Sequence, residues 1–231
     1  ALFTIAFATL VYGPASDRYG RRPVLLVGLV IFLLGSVVSA VAPTIEVLIV
    51  GRVTQAVGGA AGMVVSRAII RDLYDRDTAA RLMAYMITAL VVAPMVSPLI
   101  GGLLNDAFGW RAIFIFSGVI GVIVLAVALP RVPESLQPGT SAQTFRGMLS
   151  GFGVLLRVPA FLGYAGQAGF GMGMFMAFLG AAPFVTINVL ERPPTEFGLF
   201  FILISAGFMA GTFLTARLGQ RIGLDRMMRV G

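Results

Sequence analysis

One charge lies where charges are costly. Arg52 falls within an apolar run from Ile45 to about Val65, interrupted only by Arg52, Thr54 and Gln55. If the run is a helix, Gln55, Gly59 and Met63 follow at i+3, i+7 and i+11 and share its face. Arg52 is then about 10 Å along the axis, at 1.5 Å per residue. A guanidinium so placed must be compensated by a carboxylate, carbonyl oxygens or cavity water, and such charges by default mark a function. A cation there would lower the pKa of any carboxyl group facing it. The alternative is that Arg52 snorkels to the outer headgroups as an anchor. The chain has no Cys and no His. Metal–thiolate chemistry is therefore excluded, and the usual proton-transferring side chain is missing.

A second constellation lies between the first two apolar runs. Gly13-Pro-Ala-Ser-Asp-Arg-Tyr-Gly-Arg-Arg-Pro23 puts Asp17, Arg18, Arg21 and Arg22 into one short connection. Gly20 and Pro23 suffice to reverse the chain, so the charges need another reason. Arginines beside membrane spans stay on the cytoplasmic side. A mixed-charge loop can also clamp a neighbouring helix end, with Asp17 favoured at a helix N-terminus.

Positioning these groups requires a membrane. The 231 residues are 58% hydrophobic and 12% charged, with a mean hydropathy of +0.95. Soluble domains carry about a quarter charged residues, so the bilayer must act as solvent. Apolar runs cover residues 1 to about 15, 24–41, 45–65, 82–104, 112–129, 160–189 and 197–218. Seven spans are expected, the first short at its start. No basic region precedes Ala1, so the first run does not read as a signal peptide. Residues 130–159 are broken by Pro130, Pro133, Pro138 and Gly139. Within them Phe145, Met148, Leu149, Phe152, Leu155 and Leu156 recur at helical spacing. They suggest either a helix on the membrane surface or one packed under the bundle.

With seven spans, the loops after the first, third, fifth and seventh hold fourteen of the seventeen arginines. That asymmetry predicts a cytoplasmic side for those loops. The net charge of +7 and pI near 11.0 then serve orientation, and no nucleic-acid partner is expected. The chain also holds a degraded internal repeat. Aligning Gly223 on Gly20 puts Arg221 on Arg18 and Ala216 on Gly13, with Gln220 replacing Asp17.

The connection matches Gly-x-x-x-Asp-Arg-x-Gly-Arg-Arg at Gly13, Asp17, Arg18, Gly20, Arg21 and Arg22. It resembles the loop between the second and third helices of the major facilitator superfamily. The resemblance implies an all-α membrane protein of two six-helix halves, of which this chain carries about seven helices. Residues 1–129 would be helices two to six, 130–158 a cytoplasmic linker, and 159–231 helices seven and eight. Leu48-x-x-x-Arg52-x-x-Gln55-Ala56-x-Gly58-Gly59-Ala60 resembles the fourth-helix pattern of drug–proton antiporters, where an Arg takes part in proton coupling.

The span over 82–104 carries small residues at every fourth position, Ala89, Ala93, Ser97 and Gly101. Such a face admits a close helix neighbour, and Pro94 and Pro98 are expected to bend the span. Ser97-Pro98-Leu99-Ile100-Gly101-Gly102 resembles the fifth-helix pattern associated with export. Together with Gly109-Trp110-Arg111 it is similar to the Bcr/CflA branch of bacterial drug exporters. Pro133-Glu134-Ser135-Leu136 is similar to the sequence closing the first half in many members. In the sixth run, Phe170, Met174 and Phe178 recur every fourth residue. That stripe is either lipid-facing packing or, as the family implies, part of a cavity wall, with Tyr164 and Gln167 as polar contacts.

The implied function is proton-coupled efflux of drugs or other small molecules across the bacterial inner membrane by alternating access. Export of an endogenous sugar or amino acid is the alternative. A monomer without cofactor, driven by a proton gradient, is expected. The spans hold no pair of titratable side chains fit for acid–base catalysis, and no enzyme is expected. A channel or membrane enzyme would leave the antiporter-like patterns unexplained.

Overall fold

A computed structural model describes residues 2–136, 153–193, 196–204, 206–207 and 210–211. Its regular structure is helical throughout, with no strand among the described residues. The helices are α1 (Leu2–Tyr19), α2 (Arg21–Ala40), α3 (Ile45–Leu73), α4 (Arg76–Phe108), α5 (Arg111–Arg131) and α6 (Pro159–Phe184). A π-helical turn, Val185–Val189, continues α6. A further helical stretch covers 196–204.

Five of these segments are long and apolar enough to cross a bilayer: α2, α3, α4, α5 and Pro159–Val189, with 20 to 33 residues each. A span needs about 20. At most 28% of any of their most apolar windows is buried in protein. Most of their apolar surface therefore faces outward, as in a multi-pass membrane protein. The first expected span coincides with α1, and the described start of the seventh, 197–204, is helical.

The connections are shorter than the apolar runs suggested. Gly13, Asp17 and Arg18 belong to α1, while Arg21 and Arg22 open α2. The expected loop is thus a single residue, Gly20, with φ 101°. A side chain is unfavourable there, and glycine is not. The polar segment 67–81 is likewise mostly helical, breaking only at Tyr74 and Asp75. Polar residues here extend helices beyond the apolar thickness, so charge runs mark the membrane boundary and not the helix end.

By packing, the chain divides into two compact units. The first comprises residues 1–84 and 108–177, the second 85–107 and 178–231. In the first unit α2 and α3 approach at backbone distance. A Cβ on Gly51 would come 2.5 Å from Ser39 Oγ, and one on Gly35 would reach Cα of Gln55 at 2.7 Å. Gly28 and Gly58 are equally crowded, against Ala61 and the backbone of Phe32. Glycines seven apart on each helix (28 and 35, 51 and 58) thus form matching flat strips, the arrangement that lets apolar helices pack where lipid gives no hydrophobic drive. Near the Gly20 end, Val24, Leu25 and Val65 form a small core with Tyr12, Ala15, Leu29, Ile69 and Val132 packed on it. In the second unit, the stretch 196–204 lies against α4: a Cβ on Gly198 would come 2.7 Å from Leu99 Cα.

Candidate functional site

Two polar centres occupy the first unit, one at each end of the α2–α3 contact. At the Gly20 end, the Arg21 side chain is only 9% exposed. A cation so enclosed needs partners on every side. Its Nη1 lies 2.5 Å from Asp17 Oδ1 and donates to Ser16 Oγ at 2.6 Å. Its Nε donates to Asp72 Oδ2 at 3.0 Å. Asp72 Oδ2 also accepts from Ser135 Oγ at 3.3 Å. One planar guanidinium thereby ties the end of α1 to the end of α3, a task its fixed fork of donors suits and a lysine's single ammonium does not.

Glu134 completes this centre. Its Oε1 accepts from the backbone N–H groups of Arg21 at 2.9 Å and Leu136 at 3.0 Å, and its Oε2 from Arg22 N–H at 3.3 Å. It thus caps the N-terminus of α2, where free N–H groups and the helix dipole favour an anion. Burial alone would raise its pKa. The backbone donors of Leu136, Arg21, Arg22 and Ser135 outweigh that and hold it below the ordinary carboxylate value. Gly20 also makes room for the cap: a Cβ there would sit 2.5 Å from Glu134 Oε2. Arg22 Nη2 donates to Leu129 O at 2.8 Å, fastening α2 to the end of α5.

The carboxylate at a helix N-terminus is therefore Glu134, while Asp17 stands in the last turn of α1, paired with Arg21. Reading the sequence singled out neither Asp72 nor Glu134 as a site residue. The signal was available: alternating spans bring the ends of the third and fifth runs to the side of Gly20, and these are the carboxylates at those ends.

The second centre surrounds Arg52. Its Nη1 donates to Gln55 Oε1 at 2.7 Å, and its guanidinium lies 5.6 Å from the centroid of the Phe114 ring on α5. That is cation–π range. Trp110 packs edge-on against the same ring at 6.0 Å. Arg111 stacks on Trp110 at 4.2 Å and donates from Nη2 to Ala42 O at 3.0 Å. Among the described residues Arg52 has no ion pair, and its compensation comes from an amide oxygen and a π face. Gln55 is buried at 5% exposure, whereas Arg52, Gly59 and Met63 are exposed. All four residues lie on α3, and of them only Gln55 is packed in protein.

The other candidates are dispersed. α4 continues through Pro94 and Pro98, with Ser97 Oγ donating to Ala93 O at 2.6 Å. Ala89, Ala93 and Ser97 are exposed, and a Cβ on Gly101 would meet nothing within 4 Å. Gly102 is buried. On α6, Tyr164, Gln167, Phe170 and Met174 are all exposed. The second unit contains a cavity of about 370 Å³ whose walls include Phe178, Val185, Thr186, Phe197 and Phe201. Of the expected stripe, only Phe178 reaches it. The repeat at 216–226 and most of the surface-helix candidate, from Phe145 to Phe152, lie outside the described residues.

No groups of three or more metal-ligating side chains occur among the described residues. The comparisons with known proteins agree with this helical arrangement. The chain is 29% identical over 229 residues to a bicyclomycin resistance protein homolog of Haemophilus influenzae, covering 99% of this chain and 58% of that protein. It is 34% identical over 212 residues to multidrug resistance protein D of Escherichia coli, covering 87% of this chain and 53% of that one. It thus spans little more than half the length of these relatives. In fold it is similar to the xylose transporter XylE of E. coli in a partially occluded inward-open conformation. The TM-score is 0.59 at 20% identity, over 95% of this chain and 61% of that one. The family model described as Major Facilitator Superfamily matches residues 1–231, and with a fold of the same kind the chain belongs to that superfamily of membrane transporters.

Proposed function

We propose that the protein containing this chain exports drugs or other small molecules across the bacterial inner membrane, in exchange for inward proton flow, by alternating access. The observation that carries this is Arg52. It is a full charge within a span, oriented by a buried amide and an aromatic face, and not neutralised by a carboxylate among the described residues. Such a cation is free to act on a carboxyl group that gains and loses a proton during transport. The names of the relatives, bicyclomycin and multidrug resistance, support drug-like cargo. The arginine distribution supports a cytoplasmic side for the Gly20 end, where the Arg21–Asp72–Glu134 cluster would hold one conformation.

The test is efflux from cells expressing the full-length protein, with and without a proton uncoupler. Drug efflux that stops with the uncoupler is expected. Arg52→Lys should keep part of it, since the charge remains and the planar fork is lost, and Arg52→Gln almost none. Wild-type efflux by Arg52→Gln would reduce Arg52 to an anchor. Proton-dependent export of a sugar or amino acid, with no drug among the substrates, would replace the cargo assignment.

A further inference from the structure

Two serines less than one turn apart on α2 are buried alike and used differently. Ser39 is 0% exposed and its hydroxyl has no hydrogen-bond partner among the described residues. Ser36, 1% exposed, accepts from Gln55 Nε2 at 2.9 Å and donates to Phe32 O at 2.9 Å. Gln55 is the residue whose Oε1 receives Arg52.

The order of donors along this chain is forced. A guanidinium has no acceptor, so the amide oxygen of Gln55 must face Arg52 and the NH2 must face α2. Ser36 Oγ must then accept, and its proton goes to the Phe32 carbonyl. Hydrogen bonds thus run in one direction, from the charge on α3 to the backbone of α2. The helices meet here through bare backbone at Gly35 and Gln55.

We propose that Ser36 is a positioning residue for Arg52: its hydroxyl sets the orientation of the Gln55 amide, and the amide holds the guanidinium beside Phe114. Without that oxygen a buried NH2 group loses its acceptor, and a buried amide does not tolerate this. The amide turns to find another, and its oxygen leaves Arg52. The effect on transport rests on the proton-coupling reading above. The positioning itself does not, and the two are measured separately.

The experiment uses the full-length protein with Ser36→Ala, Ser36→Thr, Gln55→Met and, as control, Ser39→Ala. The first readout is the rate at which phenylglyoxal modifies Arg52, followed by peptide mass spectrometry on purified protein. Ser36→Ala and Gln55→Met should label roughly threefold to tenfold faster, the worth of one neutral hydrogen bond. Ser36→Thr, which keeps the hydroxyl, should return towards wild type, and Ser39→Ala should not differ. Unchanged labelling in Ser36→Ala overturns the inference. So does an equal rise in Ser39→Ala, which would mean general loosening. If Ser36→Ala fails to accumulate, Gln55→Met breaks the same chain, and unchanged labelling there is equally fatal. The second readout is the pH profile of efflux. Its midpoint should move upward in Ser36→Ala, as a carboxyl group relieved of a well-placed cation regains a higher pKa. Faster labelling with an unmoved profile upholds Ser36 as the positioning residue and removes Arg52 from proton coupling.

Discussion

Glu134→Gln separates charge from shape at the cap of α2. The substitution keeps the side-chain length and one acceptor oxygen. It removes the charge and turns the other oxygen into a donor that faces a backbone N–H. In the wild type that carboxylate receives three backbone donors, at 2.9, 3.0 and 3.3 Å. Making the acceptor neutral costs part of the charge-assisted strength of these bonds, and the helix dipole contributes about 0.3–1 kcal/mol more. Because Glu134 is largely exposed, solvent screens both effects, and the loss is about 1 kcal/mol. For a chain of this size that is a fall of about 2–4 °C in Tm. The pH dependence follows from the lowered pKa. A carboxylate whose folded pKa is depressed contributes its stability above the unfolded value, and loses it as pH falls through the folded one. The difference between wild type and Glu134→Gln should therefore be full at pH 7, begin to shrink near the ordinary value of 4.5, and vanish at lower pH. Thermal unfolding of the detergent-solubilised protein across that range measures it. Equal Tm at pH 7, or a difference that survives in acid, would refute the capping argument.

Arg21→Lys should be nearly as damaging as Arg21→Gln, because one ammonium cannot serve Asp17, Ser16 and Asp72 in their observed directions. Arg21→Gln leaves Asp17 and Asp72 without their cation and Arg21→Lys leaves part of their hydrogen bonds unmade, a loss of about 3–5 kcal/mol when a pair is fully enclosed and less at the partial exposure seen here; the yield of folded protein on size exclusion reports it. Gly35→Ala should force α2 from α3 and cost about 1–3 kcal/mol by overpacking, whereas Gly101→Ala, inside α4 with open space around it, should not lower Tm and should raise it by about 1–4 °C through helix propensity.

Much of the fold was legible because the apolar runs have membrane length and arginine marks their ends. What composition alone could not show was where helices stop. Polar residues such as Asp17 and Asp72 continue a helix into the aqueous layer without changing its hydrogen bonding, so the apolar boundary and the helical boundary separate. The Arg52–Gln55 pair was visible as an i, i+3 spacing. Its extension to Ser36 was not, since a serine in an apolar run reads as a small packing residue until the facing helix is known. The α2–α3 contact carries no such local signal: the small residues four apart stand out on α4, while the glycine strips that meet on α2 and α3 are seven apart. The charge cluster around Gly20 reads as a loop motif that contains Asp17, but its other partners, Asp72 on the Arg21 side chain and Glu134 on the Arg21 backbone, lie 51 and 113 residues away, which no local pattern encodes.

The joint at Gly20 has a mechanical consequence. Two helices separated by one residue have no slack: their ends stay within a few ångströms, since each peptide advances the chain by about 3.8 Å. Glu134 caps the α2 side of that joint, and the Arg21 side chain reaches back to Asp17 and Ser16 on α1. A tilt of α1 cannot be taken up by a yielding loop and must be passed to α2 as a lever passes load across a pinned pivot. The α2–α3 backbone contact joins that pivot to the helix that carries Gln55 and Arg52. Lengthening the joint by a few glycines would leave every helix intact and cut that linkage.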